Sequence, residues 1–305
     1  MPRSNGTPMI LDGVEIEDTF AEAFGMRATR LIVTADTARW ARIAGETATG
    51  FATSVIGCGA EAAIERDLPT EETPDGRPGV ALLIFGMNRD GLAKAVRDRV
   101  GQCVLTCPGT ACYGGLEGGE PMPLGRVLRY FGDGQEAAKR IGGRRYWRIP
   151  VMDGEFLCED MVGQQKAVGG GNFLILGRTR EPVLAAAERA IEAMRRLHGV
   201  IMPFPGGIVR SGSKIGSRYK SLSASSNLAY CPTVQGSVET ALSPEISSVL
   251  EIVIDGLTDE VVGRAMAAGI RAACAGGSGE ILRISAGNYG GKLGAFHFHL
   301  RELLT

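Results

Sequence analysis

The sequence predicts an α+β fold of two similar lobes, and two observations carry that prediction. Two strand-helix-strand units in the first half of the chain recur in the second half. The strand runs are short and apolar, the helices between them are amphipathic, and Gly or Pro signals punctuate the connections.

In the first half, residues 30–35 (RLIVTA) are a β-rich run, and Asp36 stands where a helix N-cap would. An Ala/Arg helical pattern continues to Thr47, and the Thr49-Gly50 turn leads into a strand over residues 51–56. Residues 80–85 are apolar throughout, residues 89–100 read as a helix, and residues 102–106 as the returning strand. The second half opens with a strand at 172–176, and Glu181-Pro182 puts proline in the first turn of a helix that runs to about His198. Gly199 supplies its stop. Residues 249–254 are again a strand, Thr258 caps a helix to about Cys274, Gly276-Gly277 ends it, and residues 281–285 return. Split βαβ units of this kind pack their helices on one face of an antiparallel sheet, which is the ferredoxin-like arrangement. Two such lobes related by internal duplication are expected, residues 1–150 and 151–305.

At 305 residues and 32.2 kDa the chain is long enough to bury roughly three quarters of its unfolded surface without a disulfide or metal staple. A net charge of −1 with no basic run excludes the electrostatic footprint of a nucleic-acid binder. The seven cysteines form an odd, irregularly spaced set, as expected of reduced thiols in a cytoplasm. Residues 1–11 are polar, and no apolar run approaches the roughly 18 residues of a membrane span, so no membrane association is expected.

Several motifs fail on context. Gly57-Cys58-Gly59-Ala60-Glu61-Ala62 has dinucleotide-fingerprint spacing, but Pro69, Pro74 and Pro78 interrupt the helix that must follow. Residues 207–214 have P-loop glycine spacing with a serine where lysine is required, so nucleotide hydrolysis is not expected, although the backbone there can still cradle an anion. Cys103, Cys107 and Cys112 lack the spacing and the fourth ligand of a zinc site, and they read as two packed thiols and a spectator. His297 and His299 alternate on a terminal strand and read as a core or interface pair, so no metal site is expected. Gly/Pro-rich connections at 69–79, 108–134, 169–171, 203–207 and 287–294 are where a binding site would be built.

Glu251 is the most informative single residue. In the strand Val249-Leu250-Glu251-Ile252-Val253-Ile254 it shares one face with Val249 and Val253, while the duplicated position in the first lobe is Leu82. Pattern alone leaves two readings open, a solvent-facing strand acid and a buried functional one.

The chain resembles the formylmethanofuran:tetrahydromethanopterin formyltransferases over about residues 12–300. The stretches that carry the resemblance are GVEIEDTFAEAF at 13–24, ATGF at 48–51, ETPDGRPG at 72–79, GGNF at 170–173, PFPGGIV at 203–209, YCPTV at 230–234 and ISAGNYGGKLG at 284–294. The resemblance implies two ferredoxin-like lobes, dimers that pair into tetramers, and an active site in a cleft at a subunit interface. It implies Glu251 as the catalytic acid. Coenzyme contacts are expected at Gly170, Asn172, Pro205, Gly206, Gly207, Ser211, Lys214, Tyr230, Ser285, Asn288 and Lys292. It further implies tetrahydromethanopterin and methanofuran or methylofuran as coenzyme substrates, no tightly bound cofactor, and association with the subunits of a formylmethanofuran hydrolase complex. Near-neutral charge departs from the acidic archaeal members and points to a bacterial, methylotroph-type one, and residues 108–125 also diverge.

The chemistry makes its own demands. A formyl group moving between two nitrogens needs no ATP, but it passes through a tetrahedral oxyanion, and the departing nitrogen must be protonated. An exposed glutamate would hold the proton in roughly one molecule in 500 at pH 7, so burial has to raise its pKa. No histidine lies near any cysteine in sequence, which favours direct transfer over a formyl-cysteine intermediate. The rival expectation is a non-catalytic scaffold or pterin-binding subunit of a hydrolase complex.

Overall fold

Two unusually long strands organise the computed structural model, which describes residues 9–276 and 279–305. The hairpin β1 (Met9–Leu11) and β2 (Val14–Ile16) leads into the first of them, β3 (Phe20–Thr34). Then follow α1 (Ala38–Thr49), the single turn α2 (Val55–Cys58), β4 (Glu61–Leu68), β5 (Gly79–Gly86) and α3 (Arg89–Arg99). β6 (Ala111–Gly114), β7 (Glu120–Pro123) and the single turn α4 (Gly125–Leu128) come next, and β8 (Ala137–Ile141), β9 (Arg144–Val151) and β10 (Gly154–Glu159) form a wing. The second long strand is β11 (Met161–Gly177), followed by α5 (Arg180–Met194), β12 (Val200–Ile201), β13 (Lys214–Ile215) and β14 (Ala224–Ser225). β15 (Ser248–Gly256), α6 (Asp259–Cys274), β16 (Ile281–Ser285), β17 (Phe296–His299) and α7 (Leu300–Leu304) complete the chain.

The first lobe orders its antiparallel strands β6-β3-β5-β4, and the second orders them β16-β11-β15-β12. In both lobes the first strand lies between the fourth and the third, with the second at the edge. This is the ferredoxin-like order used twice, and it places Glu251 opposite Leu174 where the first lobe has Leu82 opposite Leu31.

The lobes interlock. β3 and β11 run antiparallel, pairing Phe24 with Gly169 through to Ala28 with Gln165. The N-terminal half of β3 thus leaves its own lobe: Ala21 and Ala23, with Val14 and Ile16, sit in the second core beside Phe173, Ile252 and Ile254. Val162 of β11 reciprocates in the first core beside Leu31, Val33 and Leu82. A smaller cluster of Met26, Ala28, Leu83, Phe85, Ala167 and Ile201 seals the junction. Full burial of Phe85 or Phe173 contributes roughly 2–3 kcal/mol. Among the described residues no helix is long and apolar enough to cross a membrane.

Several elements differ from their sequence-based expectations. The strand expected at 51–56 is a turn and α2, capped by the Ser54 side chain and closed by Gly59 at φ 75°. Its role passes to β4, whose charged residues conceal it because Glu61 and Glu65 are buried acids that break the apolar alternation. The strand expected at 102–106 is a π-turn that extends α3 to Val104, and the true strand, β6, begins after Pro108-Gly109. Here Arg99 donates to the carbonyls of Ala48 and Gly50 at 2.6 and 2.8 Å, tying the end of α3 to the end of α1. Thr37 rather than Asp36 caps α1, because Asp36 is held by Arg77. α5 ends at Met194, short of His198, whereas Thr258 caps α6 as expected. Gly277 lies outside the described residues. Residues 108–134 contain β6, β7 and α4 rather than one open loop. His297 and His299 are not core residues: both are exposed, with ring centroids 5.1 and 5.2 Å from that of Phe20.

Candidate active site

β15 decides the position of Glu251. Alternation along the strand sends Ile252 and Ile254 into the core and turns Val249, Glu251 and Val253 toward a cavity of about 450 Å³. Residue 209 lies alongside, its N–H donating to the Glu251 carbonyl at 2.8 Å and its carbonyl accepting the Glu251 N–H at 2.9 Å. This short bridge carries the following polar segment, including Ser211 and Lys214, to the cavity. The Glu251 carboxyl is half-buried in the cavity wall, and among the described residues it has no ion-pair or hydrogen-bond partner. Burial alone therefore pushes its pKa up to about 7. On the open question from the strand pattern, the structure turns the Glu251 side chain into the cavity, partly shielded, rather than onto an open strand face.

The adjoining part of the cavity is built by β11, the sheet neighbour of β15, and by β3. Gly170 adopts φ 86°, which is why a glycine is needed there, and its carbonyl accepts from the Asn172 side chain at 3.1 Å. Asn172 reaches further to the loop 287–294, donating to the Gly287 carbonyl at 3.1 Å and accepting the Gly287 N–H at 2.6 Å. Asn288 anchors the same loop on the Phe20 carbonyl at 3.1 Å. Glu22 holds the rest of it. Its buried carboxylate accepts the N–H groups of Tyr289, Gly291, Leu293 and Gly294 at 2.6, 2.9, 2.6 and 2.6 Å. Burial opposes that charge, but the four donors outweigh it and hold the pKa down at about 2.

Tyr230 lines the cavity with its hydroxyl 3.3 Å from that of Ser285, and burial raises the phenol above its usual range. Tyr289 packs toward Phe24, ring centroids 6.1 Å apart, and burial together with the charges of Glu251 and Glu22 raises it likewise. The first lobe contributes Val55, Ile56, Glu61 and Met87.

Of the residues singled out from the sequence, the structure brings together Glu251, Gly170, Asn172, Ser211, Lys214, Tyr230 and Asn288, with Ser285 supporting Tyr230. Pro205, Gly206 and Gly207 line a neighbouring hollow with Phe51 and Thr53 instead, because Gly207 is packed tightly against Ile191. Lys292 is exposed and outside the cavity lining. Sequence reasoning missed Glu22, Phe24, Glu61 and Tyr289. For Glu22 the signal was present, a lone acid between alanines in a strand that otherwise alternates into a core. Glu61 had none, since its strand was not recognised. Among the described residues no group of three or more His, Cys, Asp or Glu side chains is placed to hold a metal ion. What the cavity offers chemically is a carboxyl poised to give and take a proton near neutral pH, under rigid glycine loops.

Two family profiles match this chain: formylmethanofuran-tetrahydromethanopterin formyltransferase over residues 9–151, and its proximal lobe over residues 154–303. A Methylococcus capsulatus protein named formylmethanofuran–tetrahydromethanopterin formyltransferase is 64% identical over 298 residues, 97% of this chain and all of that one. One component of the Methylorubrum extorquens formyltransferase/hydrolase complex is 56% identical over 96% of this chain and 97% of its own length. Among solved structures, the M. extorquens formyltransferase/hydrolase complex with methylofuran superposes with a TM-score of 0.95 at 56% identity, covering 98% of this chain and 99% of that one. The Methanosarcina barkeri formyltransferase gives 0.91 at 47% identity, covering 97% of this chain and 100% of that one. With matches that run the length of both lobes, the chain belongs to the formylmethanofuran–tetrahydromethanopterin formyltransferase family.

Proposed function

We propose that this chain transfers a formyl group between the amine of a methanofuran-type coenzyme and N5 of a tetrahydromethanopterin-type pterin, with Glu251 as the acid-base group. The observation that carries the reading is the partnerless Glu251 carboxyl facing the cavity, whose pKa of about 7 leaves about half the molecules protonated at neutral pH. The acceptor nitrogen attacks the formyl carbon, the carbonyl π pair moves to oxygen, and a tetrahedral oxyanion forms. Glu251 gives its proton to the departing nitrogen as the old C–N bond breaks and the carbonyl re-forms. The carboxylate then takes the proton released by the incoming nitrogen, so the acid is regenerated and no co-reactant is consumed.

Lys214, in the cavity lining, is the cation on this reading that would meet an anionic part of a coenzyme, and Tyr230 and Asn172 would offer polar contacts. The same reading includes a homo-oligomer built as a dimer of dimers, no tightly bound cofactor, a cytoplasmic setting, and partnership with formylmethanofuran hydrolase subunits. The name of the M. extorquens relative supports that partnership. The partnerless acid facing a formed cavity argues against a passive scaffold. Incubating the purified chain with both coenzymes, without ATP and with a chelator, is expected to give formyl transfer. Binding of the coenzymes without turnover would instead support the scaffold reading.

A further inference from the structure

A second pair of acids lies where the two lobes meet. Asp255, fully buried on β15, and Glu61, nearly so on β4, bring their carboxyls close enough together to interact. Each also accepts one backbone N–H, from Gly170 to Asp255 and from Val55 to Glu61, both at 3.0 Å. Among the described residues no cation pairs with either, and the second Asp255 oxygen, Oδ2, meets no protein donor. Two carboxylates side by side at a buried site repel strongly, and a single proton held between them removes that repulsion.

The surroundings leave that proton little competition. β5 opposes Glu61 with Phe85, β12 opposes Asp255 with Ile201, and β11 offers only glycine backbone, where a Cβ on Gly169 would come 3.0 Å from Asp255 Oδ1. The nearby charged groups are engaged elsewhere: Glu65 on β4 with Arg30 and the Gly199 N–H, and Arg27 on β3 with Gln164 and Glu120. Glu251 stands four residues earlier on β15, about 13 Å along the strand, too far for direct proton exchange.

We propose that Glu61 and Asp255 share one proton across the lobe junction and act as positioning residues for the reaction. The inference rests on the reading of this cavity as the coenzyme site. The pair begins an unbroken line of hydrogen bonds from the first lobe to the active-site loop. Asp255 fixes the N–H of Gly170, the Gly170 carbonyl fixes Asn172, and Asn172 clasps Gly287. Burial and mutual repulsion raise the titration of the pair. The proton is therefore present below that raised pKa and is lost as pH rises through it, whereupon the two carboxylates repel and the Gly170 wall loosens.

The test is tetrahydromethanopterin binding by titration calorimetry across the neutral to alkaline range, in a Glu251→Gln background so that Glu251 does not contribute. The parent background is expected to bind more weakly as pH rises. Asp255→Asn keeps a donor for Glu61 and an acceptor for Gly170 at every pH. It should stay within about threefold of the background near neutrality and flatten the profile. Asp255→Ala should lose about tenfold or more at all pH values. Infrared difference spectra of the same proteins should contain a protonated-carboxyl band that both Asp255→Asn and Glu61→Gln remove. A flat profile in the background, an Asp255→Asn loss equal to that of Asp255→Ala, or no such band would overturn the proposal. Absence of tetrahydromethanopterin binding at any pH would sink the coenzyme-site reading itself, and with it the positioning role, while the infrared band would still decide whether the proton is shared.

Discussion

Glu251 derives its acidity from where the strand puts it rather than from a charged neighbour, and that has a thermodynamic consequence. A carboxyl whose folded-state pKa is raised from 4.5 to about 7 favours the folded state only while protonated. The folded protein therefore loses about 3 kcal/mol of stability as pH climbs from below 4.5 to above 7. Glu251→Gln removes that loss, so the variant should gain about 2.5 kcal/mol over the parent at pH 8 relative to pH 5, where part of the loss has already occurred. Urea unfolding at the two pH values measures the difference, and a gain that does not change with pH would mean the carboxyl is not desolvated. From sequence, the lone acid among valines at 249–253 was legible, but its burial was not. Burial depends on residues 209–215 folding over it, and nothing local in β15 specifies that.

At the scale of elements, the site is a set of glycine-rich segments with imposed shapes, and the anchors matter more than the glycines. The loop 287–294 hangs on Glu22 through four charge-assisted hydrogen bonds. Glu22 holds its pKa near 2, so its contribution is present above about 4.5 and fades as pH falls toward 2. Glu22→Gln offers one acceptor oxygen where the carboxylate has two, and should cost on the order of 2 kcal/mol at pH 7, with weaker coenzyme binding. An unchanged urea midpoint would show that the loop holds itself. Elements with strong local signals were readable, among them the Thr258 cap of α6 and the apolar β5. β4 was not, because a strand that carries Glu61, Glu65, Arg66 and Asp67 has no simple alternation when some of its acids are buried for inter-lobe bonding. Likewise Pro205, Gly206 and Gly207 look like a site in sequence, yet they shape the turn after β12.

Taken whole, the molecule has two ferredoxin-like lobes, and their packing exchanges segments between the two cores. Ala21 and Ala23 belong to the second core, Val162 to the first, and Gly199 donates to Glu65 across the junction at 2.5 Å. Lobes bound in this way should melt together. Scanning calorimetry is expected to show one cooperative transition, and two well-separated transitions would contradict the interlocked arrangement. The repeated strand order was legible because it rests on the alternation of apolar strands and amphipathic helices, a local property. The exchange of strand halves was not, because strand length alone does not say which core each end enters.

If Glu251 moves the proton in formyl transfer, steady-state kinetics of Glu251→Gln with both coenzymes at pH 7 tests that role most directly. Gln fills the same space and can donate a hydrogen bond to the oxyanion, but it cannot give a proton to the leaving nitrogen. A fall in kcat of about 10²–10⁴-fold with KM little changed is the predicted result. Turnover within about threefold of the parent would contradict it, since that is far below what a positioned acid contributes.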